Sequence, residues 1–121
     1  IEVFNNGNHK RDFTYIDEVI SSIVKILKSK KLEKEKKHNV VNIGCNKKIK
    51  LMQLIQYLEF NLKKKAKIHF TKRQQADMLE TYADIKLLKR FDPNFKSTKF
   101  KDGIKKFVQW FKIYHKNDFN F

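Results

Sequence analysis

Arg11 is the residue of this sequence whose type and setting best suit the binding of an anion. It begins a segment, Arg11 to Ile16, whose β-branched and aromatic residues are typical of a strand. The apolar residues that follow recur every three or four positions, as in an amphipathic helix. A guanidinium is always charged, and its planar fork donates two parallel hydrogen bonds to a phosphate or carboxylate. Because a strand that runs directly into a helix is held tightly, Arg11 beside the aromatic Phe13 is predicted to form an anion-binding corner.

The other chemically reactive residue types show no arrangement that supports catalysis or metal binding. The histidines lack the spacing of metal ligands, and the single cysteine has no partner; these residues are His9, His38, His69, His115 and Cys45. No nucleophile stands with a base, and Tyr82 and Trp110 are better explained as core anchors than as stacking platforms. We therefore predict no catalytic residue and no metal ligand in this chain.

The chain is strongly basic, with a formal net charge of +15. Clustered lysine and arginine bind the phosphate backbone, so a stand-alone nucleic-acid-binding module is one interpretation. However, the basic residues are 25 lysines and only 3 arginines, and arginine dominates specific phosphate and base recognition. The abundance of Lys, Asn, Ile and Phe matches the drift of an AT-biased genome, which leaves lysines on solvated faces. We therefore do not expect nucleic acid to be the main partner.

Length and targeting features limit the class of protein further. The 121 residues suffice for one small domain. No apolar run is long enough to cross a membrane and no signal-peptide pattern is present, so no membrane partner is expected. A single cysteine fits a reducing compartment, and we predict a cytoplasmic location. The start at Ile1, without a methionine, suggests a piece of a longer protein.

Short strand patterns alternate with amphipathic helices along the chain. The strand patterns, with a turn at Asn5–Asn8 after the first, are Ile1–Phe4, Arg11–Ile16, the buried-strand pattern Asn39–Ile43, and Ile68–Phe70. The helix patterns run from an Asp17 cap to about Ser29, from Leu51 to Leu62, from an Asp84 cap to Asp92-Pro93, and over Lys99–His115. The charged run Ser29–His38 is predicted to be a solvated helix end and loop, and 71–79 a loop.

This order of elements predicts a mixed α/β unit of short strands and helices that does not complete a doubly wound fold. The sequence has only 3 glycines and no Gly-x-Gly-x-x-Gly or related run. The phosphate-binding turn of a dinucleotide site is therefore absent from these residues.

Several motifs, in the same order and at comparable spacing, resemble those of a known family. They are Phe4–Gly7, Arg11–Asp17, Val41–Gly44, Glu80–Asp84 and Gly103–Trp110. The sequence resembles the late, substrate-binding part of extended short-chain dehydrogenase/reductase enzymes, among which it is most similar to UDP-glucuronate 4-epimerases. The resemblance covers essentially the whole chain.

The resemblance implies that residues 1–121 form a C-terminal nucleotide-sugar-binding region with an incomplete Rossmann fold. The NAD-binding Rossmann domain and the family's Tyr-x-x-x-Lys catalytic pair would lie upstream. By this resemblance the intact enzyme holds NAD tightly, oxidises C4 of the hexose, rotates the keto-sugar and returns the hydride to its other face. Its partner would be a UDP-sugar, and dimerisation of the intact enzyme would use helices of the other half.

The resemblance also implies roles for residues of the two N-terminal strand patterns. Arg11 would contact the diphosphate of the nucleotide sugar, and its structural alternative is an ion pair with Asp12 or Asp17. Phe13 would lie near the nucleotide, with ordinary core packing as the alternative. The backbone at Phe4 would meet the uracil, with no role implied for its side chain.

A second part of the implied site falls in the predicted loop 71–79. By the match, Asp77 would accept hydrogen bonds from the ribose hydroxyls, opposite Arg11 across the nucleotide. Gln74 would lie near the diphosphate, with Arg73 as an alternative partner that the sequence does not rank against it. The family's usual glycine and proline are replaced by Ala76 and Gln75. If the loop needs a positive φ at Ala76, this replacement strains it by about 1 kcal/mol or more.

The epimerase interpretation therefore stands beside two others. One is the stand-alone basic nucleic-acid-binding module. The other is an inactive remnant of a degraded epimerase gene, which the drifted composition and the altered loop would explain.

Overall fold

The computed structural model describes residues 1–30 and 38–116. Its strands are β1 (Glu2–Phe4), β2 (Lys10–Arg11), β3 (Ile49–Lys50) and β4 (His69–Thr71), and its helices are α1 (Ile16–Leu27), α2 (Leu51–Leu62), α3 (Lys86–Phe91) and α4 (Phe100–Tyr114). These elements confirm the predicted mixed α/β class of short strands and helices. Within the described residues, no helix combines the length and apolarity needed to span a membrane.

The described residues form two compact units, each assembled from segments that are not contiguous in sequence. Unit 1 consists of Ile1–Arg11, Ile49–Thr81 and 99–116, and unit 2 consists of Asp12–Lys48 and Tyr82–Thr98, apart from 31–37. Every described strand lies in unit 1.

Unit 1 contains two small strand pairs. β1 pairs with β4 in parallel, and β2 pairs with β3 in antiparallel register. A helical turn over Asn5–Gly7 joins β1 to β2, and all three of its residues have positive φ. Asn and Gly adopt this conformation at little cost, so the predicted turn is confirmed.

The helices of unit 1 pack against each other. α2 and α4 are in contact, with Ile55 and Val108 buried and with the rings of Tyr57 and Phe100 in an edge-to-face arrangement at 5.6 Å. Both helices follow the apolar spacing seen in the sequence, because residues three and four apart share one helix face. Val3 of β1 is also buried in this unit.

Carboxylate side chains make several of the contacts within unit 2, beside its apolar packing. α1 packs on α3, where Leu88 is fully buried and Lys25 binds Asp92 at 2.8 Å. Asp12 accepts the backbone N–H groups of Cys45 and Ala83, both at 3.1 Å. These contacts tie the start of the unit to two later segments.

The segment after Arg11 differs from the predicted strand. β2 ends at Arg11, and 12–15 has no regular structure because Asp12 holds this stretch through side-chain-to-backbone hydrogen bonds. α1 begins at Ile16, where Glu18 reaches back to accept the N–H of Tyr15 at 3.0 Å. The predicted Asp17 cap is therefore wrong, although Asp17 still lies in the first turn, where a carboxylate suits the helix dipole.

Two further sequence predictions differ from the structure. The predicted buried strand at Asn39–Ile43 is not formed, since no described strand pairs with it, and Val40 is 73% exposed. The α3 cap is displaced by one residue, although Asp84 accepts the N–H of Lys86 at 2.9 Å as a cap would. The middle of the predicted solvated run, 31–37, lies outside the described residues.

Candidate nucleotide-binding site

Arg11, at the end of β2, has its guanidinium bound on two sides. Its Nη2 donates to Oδ1 of Asp77 at 2.7 Å, and its Nη1 donates to the carbonyl oxygens of Lys10 and Leu79 at 3.0 and 3.3 Å. The side chain is about one-quarter exposed, so the ion pair is partly shielded from solvent. Arg11 thus takes neither of the acidic partners considered from the sequence, Asp12 or Asp17, for this contact.

Backbone hydrogen bonds place Arg11 beside the loop that carries Asp77. The N–H of Lys10 donates to the carbonyl of Leu79 at 3.0 Å, and the N–H of Thr81 donates to the carbonyl of Lys10 at 3.1 Å. The ammonium of Lys10 also binds Glu80 at 2.7 Å. The chain after Asp77 therefore runs alongside β2 and brings two segments that are distant in sequence into one site.

The loop before Asp77 closes in a turn. The N–H of Asp77 donates to the carbonyl of Gln74 at 3.1 Å, and Nη2 of Arg73 donates to the carbonyl of Asp77 at 3.3 Å. Ala76 does not have a positive φ. The strain that would follow from such a φ is therefore absent, and alanine is accommodated where the resembling family has glycine.

His9 completes the surroundings of Asp77. Its side chain is only 3% exposed, and its Nε2 lies 3.2 Å from Oδ2 of Asp77. This distance suits an ion pair, but Nε2 has no hydrogen-bond partner, so the two groups approach without hydrogen-bond geometry. Sequence reasoning set His9 aside for lack of metal-ligand spacing. The sequence signal that could have identified His9 is its position two residues before Arg11. Alternate residues of an extended chain face the same side, so His9 is expected on the side of Arg11.

A cavity of about 560 Å³ opens next to this cluster. His9, Lys10, Lys50, Met52 and Glu80 are among its lining residues, whereas Arg11 and Asp77 are not. The cavity therefore borders the ion-paired cluster and presents both cationic and anionic side chains.

The remaining residues implied by the resemblance lie in different places. Phe4 is half-buried at the end of β1, opposite Thr71 of β4. Gln74 is exposed in the loop and joins the cluster only through its backbone carbonyl. Phe13 belongs to unit 2, where it is half-buried. The structure thus brings Arg11 and Asp77 together with Arg73 and the backbone of Gln74.

The cluster is suited to binding rather than to bond-making chemistry. In this structure Asp77 lies between a guanidinium and an imidazole, and both Nη1 and Nη2 of Arg11 already donate hydrogen bonds within the chain. A diphosphate that took the Nη2 donor now on Asp77 would displace the Asp77 carboxylate. The predicted arrangement, in which Arg11 and Asp77 face each other across a ligand, therefore requires the direct contact to open.

A second polar cluster, in unit 2, is buried and structural. The thiol of Cys45 donates to Oε1 of Glu18 at 2.9 Å, and Glu18 also accepts the N–H of Thr98. Burial and then the neighbouring Glu18 carboxylate raise the pKa of the Cys45 thiol to about 12. Such a thiol stays protonated near neutral pH and is a poor nucleophile.

The described residues do not form the glycine-rich turn that a binding site for NAD requires. A dinucleotide site needs a glycine-rich turn between a strand and a helix, so that free N–H groups meet the pyrophosphate. The turn at Gly7 leads instead into β2, and a side chain there would strike Met52 at 2.6 Å. After Gly44, the N–H groups of Cys45 and Asn46 already bind the chain's own carboxylate, that of Asp12.

Comparison with known proteins gives matches along nearly the whole chain. No protein-family model matches it. The chain is 38% identical over 111 residues to an uncharacterized protein of Methanocaldococcus jannaschii, covering 92% of this chain and 32% of that protein. It is 33% identical over 113 residues to the UDP-glucuronate 4-epimerase of Thermodesulfobacterium geofontis, covering 93% of this chain and 33% of that enzyme. The chain thus spans about one-third of the length of these curated relatives.

A solved structure shares the fold as well. The UDP-glucuronic acid 4-epimerase of Bacillus cereus, solved as a mutant with UDP-4-deoxy-4-fluoro-glucuronic acid and NAD, superposes with a TM-score of 0.77. The two are 28% identical, and the match covers 93% of this chain and 35% of that one. By sequence and by fold, the chain corresponds to one part of extended short-chain dehydrogenase/reductase enzymes.

Proposed function

We propose that this chain is the C-terminal, substrate-binding region of a NAD-dependent UDP-sugar 4-epimerase and that it binds the UDP part of the substrate. The observation that carries the proposal is the contact at 2.7 Å between Arg11 and Asp77, the two residues to which the family resemblance assigns the diphosphate and the ribose. Their segments are distant in sequence and still meet at one site. The relatives named as UDP-glucuronate 4-epimerases support the same substrate class.

In this proposal the described residues grip the nucleotide and leave the hydride chemistry to another part of the protein. Arg11 binds the diphosphate through its fork, and Asp77 accepts the ribose hydroxyls. The backbone at Phe4 meets the uracil, Phe13 lies near the nucleotide, and Gln74 or Arg73 adds a second contact to the diphosphate. Each of these is a polar or stacking contact that fixes orientation without forming a bond.

In this proposal NAD binds outside these 121 residues, to a Rossmann domain of the full-length protein. When bound, it would accept and return the hydride at C4 of the sugar. The intact enzyme is proposed to be cytoplasmic, since its one cysteine in this region is buried and unpaired. Any homodimer would form through the other part of the protein.

Two measurements on the full-length protein test the proposal. Calorimetric titration should show UDP binding that exceeds uridine binding, because Arg11 contributes only when the diphosphate is present. An assay with UDP-glucuronate should show its conversion to the 4-epimer. Lys72→Ala, an exposed substitution in the same loop, serves as the matched control and should bind UDP like the parent. A folded full-length protein without affinity for UDP would overturn the proposal.

A further inference from the structure

We infer that His9 is a positioning residue of the nucleotide site, which takes over the Asp77 carboxylate when Arg11 turns to the diphosphate. This inference rests on the proposed function. It concerns a residue that neither the family resemblance nor the sequence motifs assign. The two observations behind it are the burial of the imidazole, 3% exposed, and the 3.2 Å separation between its Nε2 and Oδ2 of Asp77.

The unsatisfied state of His9 is the first step of the argument. A buried polar nitrogen without a hydrogen bond costs free energy, and His9 Nε2 has no hydrogen-bond partner in this structure. The nearby carboxylate is already oriented by Arg11, which holds Oδ1 at 2.7 Å. Oδ2 therefore faces the imidazole at close range but in the wrong direction for a hydrogen bond.

Release of Arg11 removes this conflict. Once the guanidinium binds a diphosphate, the carboxylate of Asp77 is free to rotate by a small angle toward Nε2. An Nε2 that carries a proton then donates to Oδ2 and compensates part of the lost ion pair. Oδ1 is left to accept a ribose hydroxyl. His9 thereby lowers the cost of opening the Arg11–Asp77 contact and fixes the ribose acceptor.

The backbone of His9 supports this role. Its carbonyl oxygen accepts the N–H of Leu51 at 2.9 Å, next to the β2–β3 pair. Because its backbone is hydrogen-bonded and its side chain is buried, the imidazole has little room to move and acts as a fixed donor. The Asp77 carboxylate faces the imidazole and is itself bound by Arg11, and the charged side chains of Lys10, Lys50 and Glu80 line the same cavity as His9.

The experiment compares two ligands and three variants of the full-length protein. UDP and 2′,3′-dideoxy-UDP differ only in the ribose hydroxyls that Asp77 is proposed to accept. His9→Met removes the donor, His9→Gln keeps an N–H donor of similar reach, and His69→Gln is the control at an exposed histidine of β4. Affinities are measured by calorimetry, and melting temperatures confirm that each variant is folded.

The expected result is selective for the ribose. His9→Met should weaken UDP binding by roughly tenfold and change the affinity for 2′,3′-dideoxy-UDP by less than about twofold. His9→Gln should restore most of the UDP affinity, and His69→Gln should match the parent. Equal losses for both ligands, or no loss for either, would show that His9 only fills space and would overturn the inference.

A measurement without ligand separates this inference from the proposed function. The side-chain nitrogen signals of His9 in ¹⁵N NMR should change in Asp77→Asn and in Arg11→Lys, because both substitutions alter the carboxylate facing the imidazole. If the His9 signals change as expected in the two variants but the parent protein binds no UDP, the proposed function alone is contradicted. A parent that binds UDP through Arg11 and Asp77, with His9→Met binding it equally well, would contradict the role of His9 alone.

Discussion

Nη2 of Arg11 lies 2.7 Å from Oδ1 of Asp77, although the two residues are 66 positions apart in the sequence. The contact is formed within unit 1, where the backbone of Lys10 bonds to Leu79 and Thr81 and places β2 beside the Asp77 loop. In this structure each residue is therefore the other's partner. A nucleotide that used both would have to exchange this ion pair for its own contacts.

The Arg11–Asp77 contact predicts coupled losses of UDP affinity. Arg11→Lys keeps the charge but loses the fork and should weaken UDP binding. Asp77→Ala removes a charged acceptor and should cost about 1.5–3 kcal/mol, or roughly a ten- to hundredfold loss. Independent contacts would give losses that add, but groups in direct contact couple by about 0.5–3 kcal/mol. The double variant should therefore lose less affinity than the two single variants together.

Calorimetry on the full-length protein and its three variants closes this double-mutant cycle. Lys72→Ala again serves as the control for a change in loop charge. Single variants that both bind UDP like the parent would show that the residues were assigned wrongly, whatever the fold. Strictly additive losses would show that the Arg11–Asp77 contact has no energetic consequence for UDP binding.

The exposed apolar face of α1 predicts that the isolated 121-residue chain aggregates. Ile16, Ile20, Ile23 and Leu27 lie three or four residues apart on this helix and are all exposed. Uncovered apolar stripes of this kind promote association. We expect aggregation on heating, and we expect Ile20→Gln with Leu27→Gln to reduce it without lowering the free energy of unfolding.

Light scattering during thermal denaturation measures this effect. Leu88→Ala provides the contrast, because Leu88 is fully buried and its truncation should destabilise unit 2 by about 2–5 kcal/mol. A monomeric parent with a sharp, reversible transition and dispersed amide NMR signals would contradict the prediction.

Cys45 predicts a loss of stability in alkaline solution. Burial and the Glu18 carboxylate raise the pKa of its thiol from 9.0 to about 12, so the folded state favours the protonated form. The resulting stabilisation is complete below pH 9.0 and is lost as the pH rises toward about 12. Urea unfolding at several pH values should show a steeper decline for the parent than for Cys45→Ala over this range.

The comparison with Cys45→Ala isolates the thiol from the lysines and tyrosines that titrate in the same range. A thiol reagent at pH 8 adds an independent measurement, since the native protein should react only as fast as it unfolds. Rapid reaction of the folded protein, or parallel pH profiles for parent and variant, would contradict this account.

Lys63 predicts a stabilising substitution at the end of α2. It has a φ of +55°, in the left-handed region, and closes the helix with its N–H on the carbonyl of Glu59. A side chain in this conformation costs about 1 kcal/mol, and glycine is the usual residue there. Lys63→Gly should therefore raise the free energy of unfolding by about 0.5–1 kcal/mol. Lys64→Gly is the matched control, because Lys64 lacks a positive φ, and it should not stabilise.

The net charge of +15 predicts weak and non-selective binding to nucleic acid. Lysines on solvated faces attract phosphates but do not read bases, so binding should fall steeply between roughly 50 and 200 mM salt. Fluorescence anisotropy with single- and double-stranded oligonucleotides of two unrelated sequences measures both properties. Sub-micromolar, sequence-selective binding at physiological ionic strength would instead favour the stand-alone nucleic-acid-binding module.

Several features of this protein are determined by the sequence alone. The apolar spacing of α2 and α4 and the asparagines and glycine of the turn after β1 depend on residues close together in the chain. Their conformations follow from backbone geometry and side-chain periodicity. The ordered motifs around Arg11 and Glu80 likewise sufficed to indicate the family, which the relatives and the fold confirm.

Only the tertiary structure decided which partners the polar groups take. Arg11 had nearby carboxylates at Asp12 and Asp17, yet it binds Asp77 because the backbone of β2 lies beside 79–81. The strand predicted at Asn39–Ile43 is not formed, and the reason is again the partner: a strand exists only where a neighbouring segment supplies its hydrogen bonds. Local spacing carries no information about which distant segment packs alongside. For that reason His9, which no motif marked, is found against Asp77 only in the folded chain.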